Sequence, residues 1–565
     1  MNRNTQAHFA EVPTIDISRS KFDRSFTHKT TFNAGDLIPF FCTDVLPGDT
    51  MKMNTAHVVR MMTPVAPVMD NANLDTYFFF VPNRLIWDHW QEFMGENKTA
   101  PWTQQTQYTE PQVQSPASTG WTKGSLADYF GYPTGIAGYK ASAMPFRAYA
   151  QIWNDWFRDE NLKNPCNIYT GDSDTTGVDI TAVNYDYVTD TIKGAAPCKA
   201  AKMHDYFTSA LPGPQKGPAV QVPLGDKAPV VLGEPSKPYS GSYPAYSTLD
   251  GHPINIGQHG SSWNEIGLYT ENPTGTPKAL TANKSYGLVT DLSEAVGATV
   301  NQLRQAFQIQ KFYERQARGG TRYIELLKSH FSVTNPDYRM QRAEYLGGMR
   351  TPININQVVQ TDATSQQLGG KYVSGTWTWE MSDLSPQGNT AAYSLTSGRN
   401  KDLFTHSFTE HGWVIGLAVV RQVHTYQQGL NRMFSRKSMF DYFWPELANL
   451  GEQAILNKEI YLQGTSADDE AFGYQERYAE YRYMPDIVTG EMRSNYAQSL
   501  DIWHWADDYA AKPTLGSDWI DETKENIERT LAVQSHDQFF GDFYFNCIMT
   551  RPMPLFSVPG LIDHH

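Results

Sequence analysis

Tyr474, Tyr478, Tyr481 and Tyr483 are interleaved with Arg477, Arg482, Glu476 and Glu480, and the run halts at Pro485. Tyrosine and arginine combine planar contact area with hydrogen bonding and stacking, the chemistry enriched where proteins meet proteins. The stretch 473–494 therefore reads as a binding surface, with a partly exposed strand edge as the plainer alternative. Arg477, Tyr478, Tyr481, Arg482 and Tyr483 are its candidate subunit-interface residues. Two further stretches mix cations with rings: Lys311–Arg322 (KFYERQARGGTR) and Arg432–Phe443 (RMFSRKSMFDYF). Rings that stack bases and cations that hold phosphates suit single-stranded nucleic acid. Subunit contact or a solvated helix face suits the same residues and is the plainer reading. Arg315, Arg318, Arg322, Arg432, Arg436 and Lys437 are thus candidates for DNA or subunit contact.

Reaction chemistry is harder to find. His504 with Asp507 and Asp508 (WHWADD) has the residue types of a metal or acid–base site, but such an isolated cluster is more commonly a hydrogen-bonded polar patch. Asp468 and Asp469 sit in a polar turn, and His564–His565 reads as a mobile chain end. The sequence has no glycine-rich phosphate loop before a helix, no G-x-S-x-G, no H-E-x-x-H and no EF-hand spacing. No catalytic, cofactor or metal residue is assigned, and a non-enzymatic protein is expected.

Composition narrows the field further. The 565 residues carry a formal charge of −14. A surface built to bind DNA broadly would carry the opposite sign, because phosphate neutralisation supplies most non-specific affinity. Any nucleic-acid contact must then be local, or helped by a basic partner. The N-terminal arm is mildly basic, with Arg3, Arg19, Lys21, Arg24 and Lys29, and suits reaching a neighbour or a genome. Charged residues are only 19% of the chain, aromatics are 13%, and 42 Gly and 33 Pro imply many turns. That favours a β-rich, loop-heavy protein. Cys42, Cys166, Cys198 and Cys547 are scattered without a C-x-x-C. This excludes an evident zinc ribbon and points to a reducing compartment, with Cys166 and Cys198 close enough in sequence to meet but expected as thiols. The longest apolar run, Trp413–Val420, is too short to cross a bilayer. With no apolar signal core, the expectation is a soluble product of the cytoplasm. The sequons at Asn97 and Asn283 are read as chance.

The elements that must position these residues are mostly strands. Thr27–Phe32 is one; Pro47-Gly48-Asp49 is a turn. In Met51–Met62, Met51, Met53, His57, Val59 and Met61 recur with period two. Leu74–Val81 (LDTYFFFV) reads as a strand buried on both faces, ended by Pro82. Strands return at Gly412–His424 and Phe543–Met549. Helices are predicted over Asn83–Met94, over Pro145–Arg158, and from the capping box Thr299-x-x-Gln302 to Gly319-Gly320. Their aromatic stripes read as packing. Between Leu211 and Ala245 eight prolines alternate with glycines, and small polar residues continue to about Thr281. Such a tract holds short edge strands but no large core. Asn161–Ala201 and Asn356–Arg399 are similar. Long loops that split a framework usually carry function.

Four stretches together resemble the major capsid protein of the microviruses, small icosahedral phages with single-stranded DNA, and especially its gokushovirus branch. They are Phe32–Met53 (FNAGDLIPFFCTDVLPGDTMKM), Tyr77–Trp90 (YFFFVPNRLIWDHW), Gly319–Phe331 (GGTRYIELLKSHF) and the stretch 473–494. They spread over almost the whole chain; the central Pro/Gly tract is unmatched. The resemblance implies a mainly β fold, an eight-stranded antiparallel jelly roll of capsid type with long loop insertions and several helices. It implies a core at residues 1–204 and 291–565, with an insertion at 205–290 forming protrusions at the three-fold axes. Pro212, Pro223, Pro235, Tyr239 and Tyr243 would then contribute to host attachment. It further implies sixty copies in a T=1 shell around circular single-stranded DNA, assembled in the host bacterial cytoplasm and found in the virion. The partners would be a small basic DNA-binding protein, an internal scaffolding protein and a host receptor, with no membrane insertion. Two alternatives remain on the residues alone. A β-rich carbohydrate-active enzyme would use exposed Trp and Tyr against sugars and need two facing carboxylates. A receptor-binding fibre would need repeats, and none is found.

Overall fold

The computed structural model describes residues 18–98, 107–181, 185–218, 220, 300–320, 322–358 and 391–556, together with the backbone of short strands between 230 and 381. The chain is mainly β, with antiparallel sheets and several helices, as expected. Eight strands make the framework: β1 (Phe26–Phe32), β2 (Ile38–Val45), β3 (Thr50–Met61), β4 (Ala72–Pro82), β5 (Glu344–Pro352), β6 (Thr396–Ser407), β7 (Gly412–Gln422) and β8 (Phe539–Arg551). In one layer the order is β1-β8-β3-β6, all antiparallel, with Phe26 opposite Phe545 and Phe539 opposite Met61. The short strand Ser20–Asp23 extends that layer along β8. In the other layer the order is β2-β7-β4-β5.

The period-two pattern of β3 sends Met51, Met53, His57, Val59 and Met61 inward, where all are buried. They meet Phe40, Phe78, Phe80 and Val414 of the second layer in a single core. Offset and edge-on aromatic pairs knit the layers, with ring centroids 4.9 Å apart for Phe40–Phe543 and 5.1 Å for Phe41–Phe545. Such pairs add to the transfer free energy of burial. Gly416 of β7 is required by this packing: an added Cβ would lie 2.8 Å from the Cβ of Phe41.

The second layer is covered on its other face too, which explains why the FFFV end of LDTYFFFV does not alternate, while buried Asp75 is paired with Arg350 and Arg421. Phe79, Val81, Ile415, Leu417 and Val419 pack against Trp87, Trp121 and Trp153 and the helix α1 (Met144–Ile152). Pro145 stands in the first turn of α1, where its missing N–H costs nothing. The helix continues into a π-type turn at Trp153–Phe157, so the predicted span is recovered. The span predicted for Asn83–Met94 is not one helix. It is a 3₁₀ turn at Asn83–Leu85 and a single α turn at Trp90–Phe93. The amide of Asp88 donates to the carbonyl of Thr170 at 3.0 Å, and the Trp87 indole donates to Asp172 at 2.7 Å. Tertiary bonds thus replace the helical ones between them. The third helix, α2, runs Val300–Arg318; its proposed cap Thr299 lies outside the described residues.

Contacts divide the chain into two compact units, Met1–Pro214 with Gln316–His565, and Gln215–Arg315. The second contains short strands in two antiparallel three-stranded sheets, the Val230–Glu234 and Ile254–Gly257 groups. Cys166 and Cys198 do meet: their sulfurs are 3.7 Å apart as free thiols.

Candidate functional site

The hairpin Glu452–Leu456 with Ala471–Glu476 carries the tyrosine–arginine stretch. Its exit bends sharply because Tyr478 takes a left-handed backbone (φ 62°). That turn buries Tyr478 and leaves Tyr481 half exposed. The Tyr483 ring stacks on Tyr206 at 5.4 Å with planes 9° apart. Arg477 lies over the Tyr478 ring, and exposed Arg482 pairs with Glu476. The five candidate residues are therefore brought together, mostly against their own subunit, with Tyr481 and Arg482 outermost.

Against this turn packs the segment that begins at Arg432. Its cations point inward. Arg432 donates to the Ala454 carbonyl at 2.9 Å and to Glu459 at 3.1 Å, and Tyr206 donates its hydroxyl to the other Glu459 oxygen at 3.1 Å. Arg436 lies over the Tyr481 ring at 4.3 Å and the Tyr442 ring at 5.2 Å, with Glu480 at 3.9 Å. Only Lys437 of this group is free among the described residues to reach solvent. The apolar side chains point the other way. Phe434 is 70% exposed, Met439 62%, Leu450 63%, and Phe440, Tyr442, Phe443 and Trp444 are each about half exposed. Met484 (72%) and Ile487 continue the patch from the neighbouring turn. Isolated exposed apolar residues are ordinary, but a contiguous ledge of this size marks a surface made to be covered.

Two of the three remaining predicted cations are also engaged. Arg322 donates to Glu160 at 3.0 Å and to the carbonyls of Asn154 and Arg158, and Arg318 pairs with Glu452. Arg315 is exposed on α2. Pro212 is exposed; Pro223, Pro235, Tyr239 and Tyr243 lie outside the described residues, as do the Asn283 sequon and His564–His565.

The WHWADD cluster separates. His504 Nε2 bonds to the Met492 carbonyl at 2.7 Å, while Asp507 joins a buried node that sequence reasoning missed. His424 lies between Asp507 (2.9 Å from Nδ1) and Glu522 (3.1 Å from Nε2), all three nearly inaccessible. Burial opposes a charge on His424, but the two carboxylates more than offset it and push its pKa up to about 9. Burial likewise disfavours ionised Asp507, yet His424 pulls its pKa down to about 2. The imidazolium therefore donates from both nitrogens and ties three distant segments. Among the described residues there is no group of three or more His, Cys, Asp or Glu arranged to hold a metal ion. No described helix is long and apolar enough to cross a membrane.

Buried charge, stacked rings and an uncovered apolar ledge describe a chain built for contact, and comparison with known proteins agrees. The family model described as "Capsid protein (F protein)" matches residues 10–561. The chain belongs to this capsid-protein family. The capsid chain is similar to "Capsid protein VP1" of Bdellovibrio phage phiMH2K, 43% identical over 99% of this chain and 98% of that relative. It is also similar to the proteins of the same name from Chlamydia phage 1 (41%, over 98% and 97%) and Spiroplasma virus 4 (40%, over 99% and 98%). A capsid role for the whole length displaces the carbohydrate-active and fibre alternatives.

Proposed function

We propose that this chain is the major coat subunit of a microvirus, a non-enzymatic protein whose copies close a T=1 shell of sixty around circular single-stranded DNA. The observation that carries this reading is the ledge from Phe434 to Leu450, which exposes a row of large apolar side chains on a member of a capsid family. Obligate contacts between subunits are apolar and bury on the order of 2,000 Å² or more, and the guanidinium groups of Arg432 and Arg436 nearby are already engaged within the subunit. The segment then serves subunit contact in preference to DNA, with Tyr481 and Arg482 at its rim. The strand orders β1-β8-β3-β6 and β2-β7-β4-β5 support reading the two layers as a capsid jelly roll. Residues 205–290 would form the three-fold protrusion that meets the host receptor, and a small basic protein and an internal scaffolding protein would assist packaging and assembly in the bacterial cytoplasm.

The test is assembly. Phe434→Asp with Met439→Asp should leave a folded subunit, by circular dichroism, that no longer appears in shells by electron microscopy when the other virion proteins are present. Normal shells from the double variant would remove the ledge from the interface.

A further inference from the structure

The outward face of the first β layer inverts the charge of the molecule. Along the framework strands Lys29, Lys52, Arg60 and Arg399 are exposed on the side away from the core, against one carboxylate, Asp542. The edge strand adds Lys21 and Asp23, and the β6 bulge adds Lys401 and Asp402, which balance. Lys29 reaches Asp542 at 3.4 Å and Lys52 reaches Asp402 at 2.7 Å. Arg60, Arg399 and Lys401 have no carboxylate partner among the described residues. On a chain of net charge −14, this face carries an excess of cations.

The same face presents two aromatic rings. Phe540 and Tyr544 of β8 point outward and are substantially exposed. Register places Phe540 directly between Thr31 and Arg60, and Tyr544 between Thr27 and Ala56, with Arg399 next in the row. Each ring therefore has at least one small cross-strand neighbour and a guanidinium within the same cross-strand row. A ring needs an unstacked base to stack against, which a duplex does not offer, while unpaired cations serve phosphates. The ledge shows the opposite chemistry, with its guanidinium groups engaged inside.

We propose that the outward face of this layer, through Phe540, Tyr544, Arg60, Arg399 and Lys401, binds single-stranded nucleic acid. The proposal rests on the genome-enclosing reading above and assigns it a surface. In that reading this face lines the shell interior, and two of the basic residues of the N-terminal arm, Lys21 and Lys29, belong to it.

The experiment measures binding of an oligothymidylate probe to the purified full chain by fluorescence anisotropy across a salt series. Arg60→Gln, Arg399→Gln and Lys401→Gln together should flatten the log–log salt slope by about 2, since each single-strand phosphate contact contributes about 0.7. Phe540→Ala with Tyr544→Ala should weaken binding about tenfold or more at fixed salt, as loss of base stacking does. Lys437→Gln on the ledge should change neither quantity. Ultraviolet cross-linking of the probe to the unmodified protein, read by mass spectrometry, should label the peptide containing Phe540 and Tyr544, and it needs no variant to fold. Cross-links confined to other peptides, or an unchanged slope and affinity in the folded variants, would overturn the assignment. Shells that form normally from a subunit with no affinity for the probe would overturn it while leaving the coat reading intact. Probe binding at this face without shells would do the reverse.

Discussion

On the segment 432–444 the guanidinium groups turn inward to Glu459, Glu480 and the tyrosine rings, and the apolar groups face out. On the outer face of the β1-β8-β3-β6 layer Arg60, Arg399 and Lys401 are left to solvent beside the rings of Phe540 and Tyr544. Both regions are rich in arginine and aromatics, so composition cannot separate them. What separates them is whether the subunit itself supplies the counter-charge. A neutralised cation fixes a local fold and leaves the surrounding surface apolar, fit for another copy. An unpaired one keeps its charge available for a polyanion.

The contrast can be broken most decisively at Arg432. Removing it as Arg432→Ala strands the buried Glu459 carboxylate, and losing one partner of a buried pair costs about 3–5 kcal/mol. Urea unfolding should show a shift of that order; a loss under about 1 kcal/mol would mean the pair is not structural. His424 sharpens the same side of the comparison, since it too is a cation held by internal carboxylates. Its folded pKa of about 9 lies above the ordinary value near 6.5. Its contribution is therefore complete below about pH 6.5 and disappears as pH rises through about 9. The slope is at most one proton, about 1.4 kcal/mol per pH unit. The melting temperature should fall over that interval, and His424→Gln should remove this component. The smallest effect belongs to the other region. Arg60→Ala and Arg399→Ala should each change unfolding free energy by no more than about 0.5 kcal/mol. A larger loss would show that these side chains are structural, like those of the ledge.

The sequence announced some of this. Period two in Met51–Met61 was readable because only one face of β3 is buried, and the apolar run Phe78–Val81 in β4 because both faces are. The helix expected at Asn83–Met94 failed where Asp88 and Trp87 bond to residues 82 and 85 positions away. No local propensity reports such partners. The Tyr478–Tyr483 stretch was legible as contact chemistry, but the direction each side chain faces was not. That direction depends on Glu459 and Glu480 arriving from other elements. The His424 node was invisible for the same reason, its carboxylates lying at positions 507 and 522. The outward cations on β1, β3 and β6 were individually plain, yet only strand order places them on one surface.

That order also governs how the molecule can be made. β8 lies between β1 and β3, though both of those leave the ribosome long before it. Residues 62–538 must be synthesised before the first layer has its middle strand. At about 5–20 residues per second this takes on the order of half a minute or more. During translation β1 and β3 have no central partner, so a product truncated before Phe539 would present two open edges prone to pairing with the wrong chain. Folding of this subunit is thereby coupled to completion of its C-terminus, and partial chains are kept from acquiring the finished first layer.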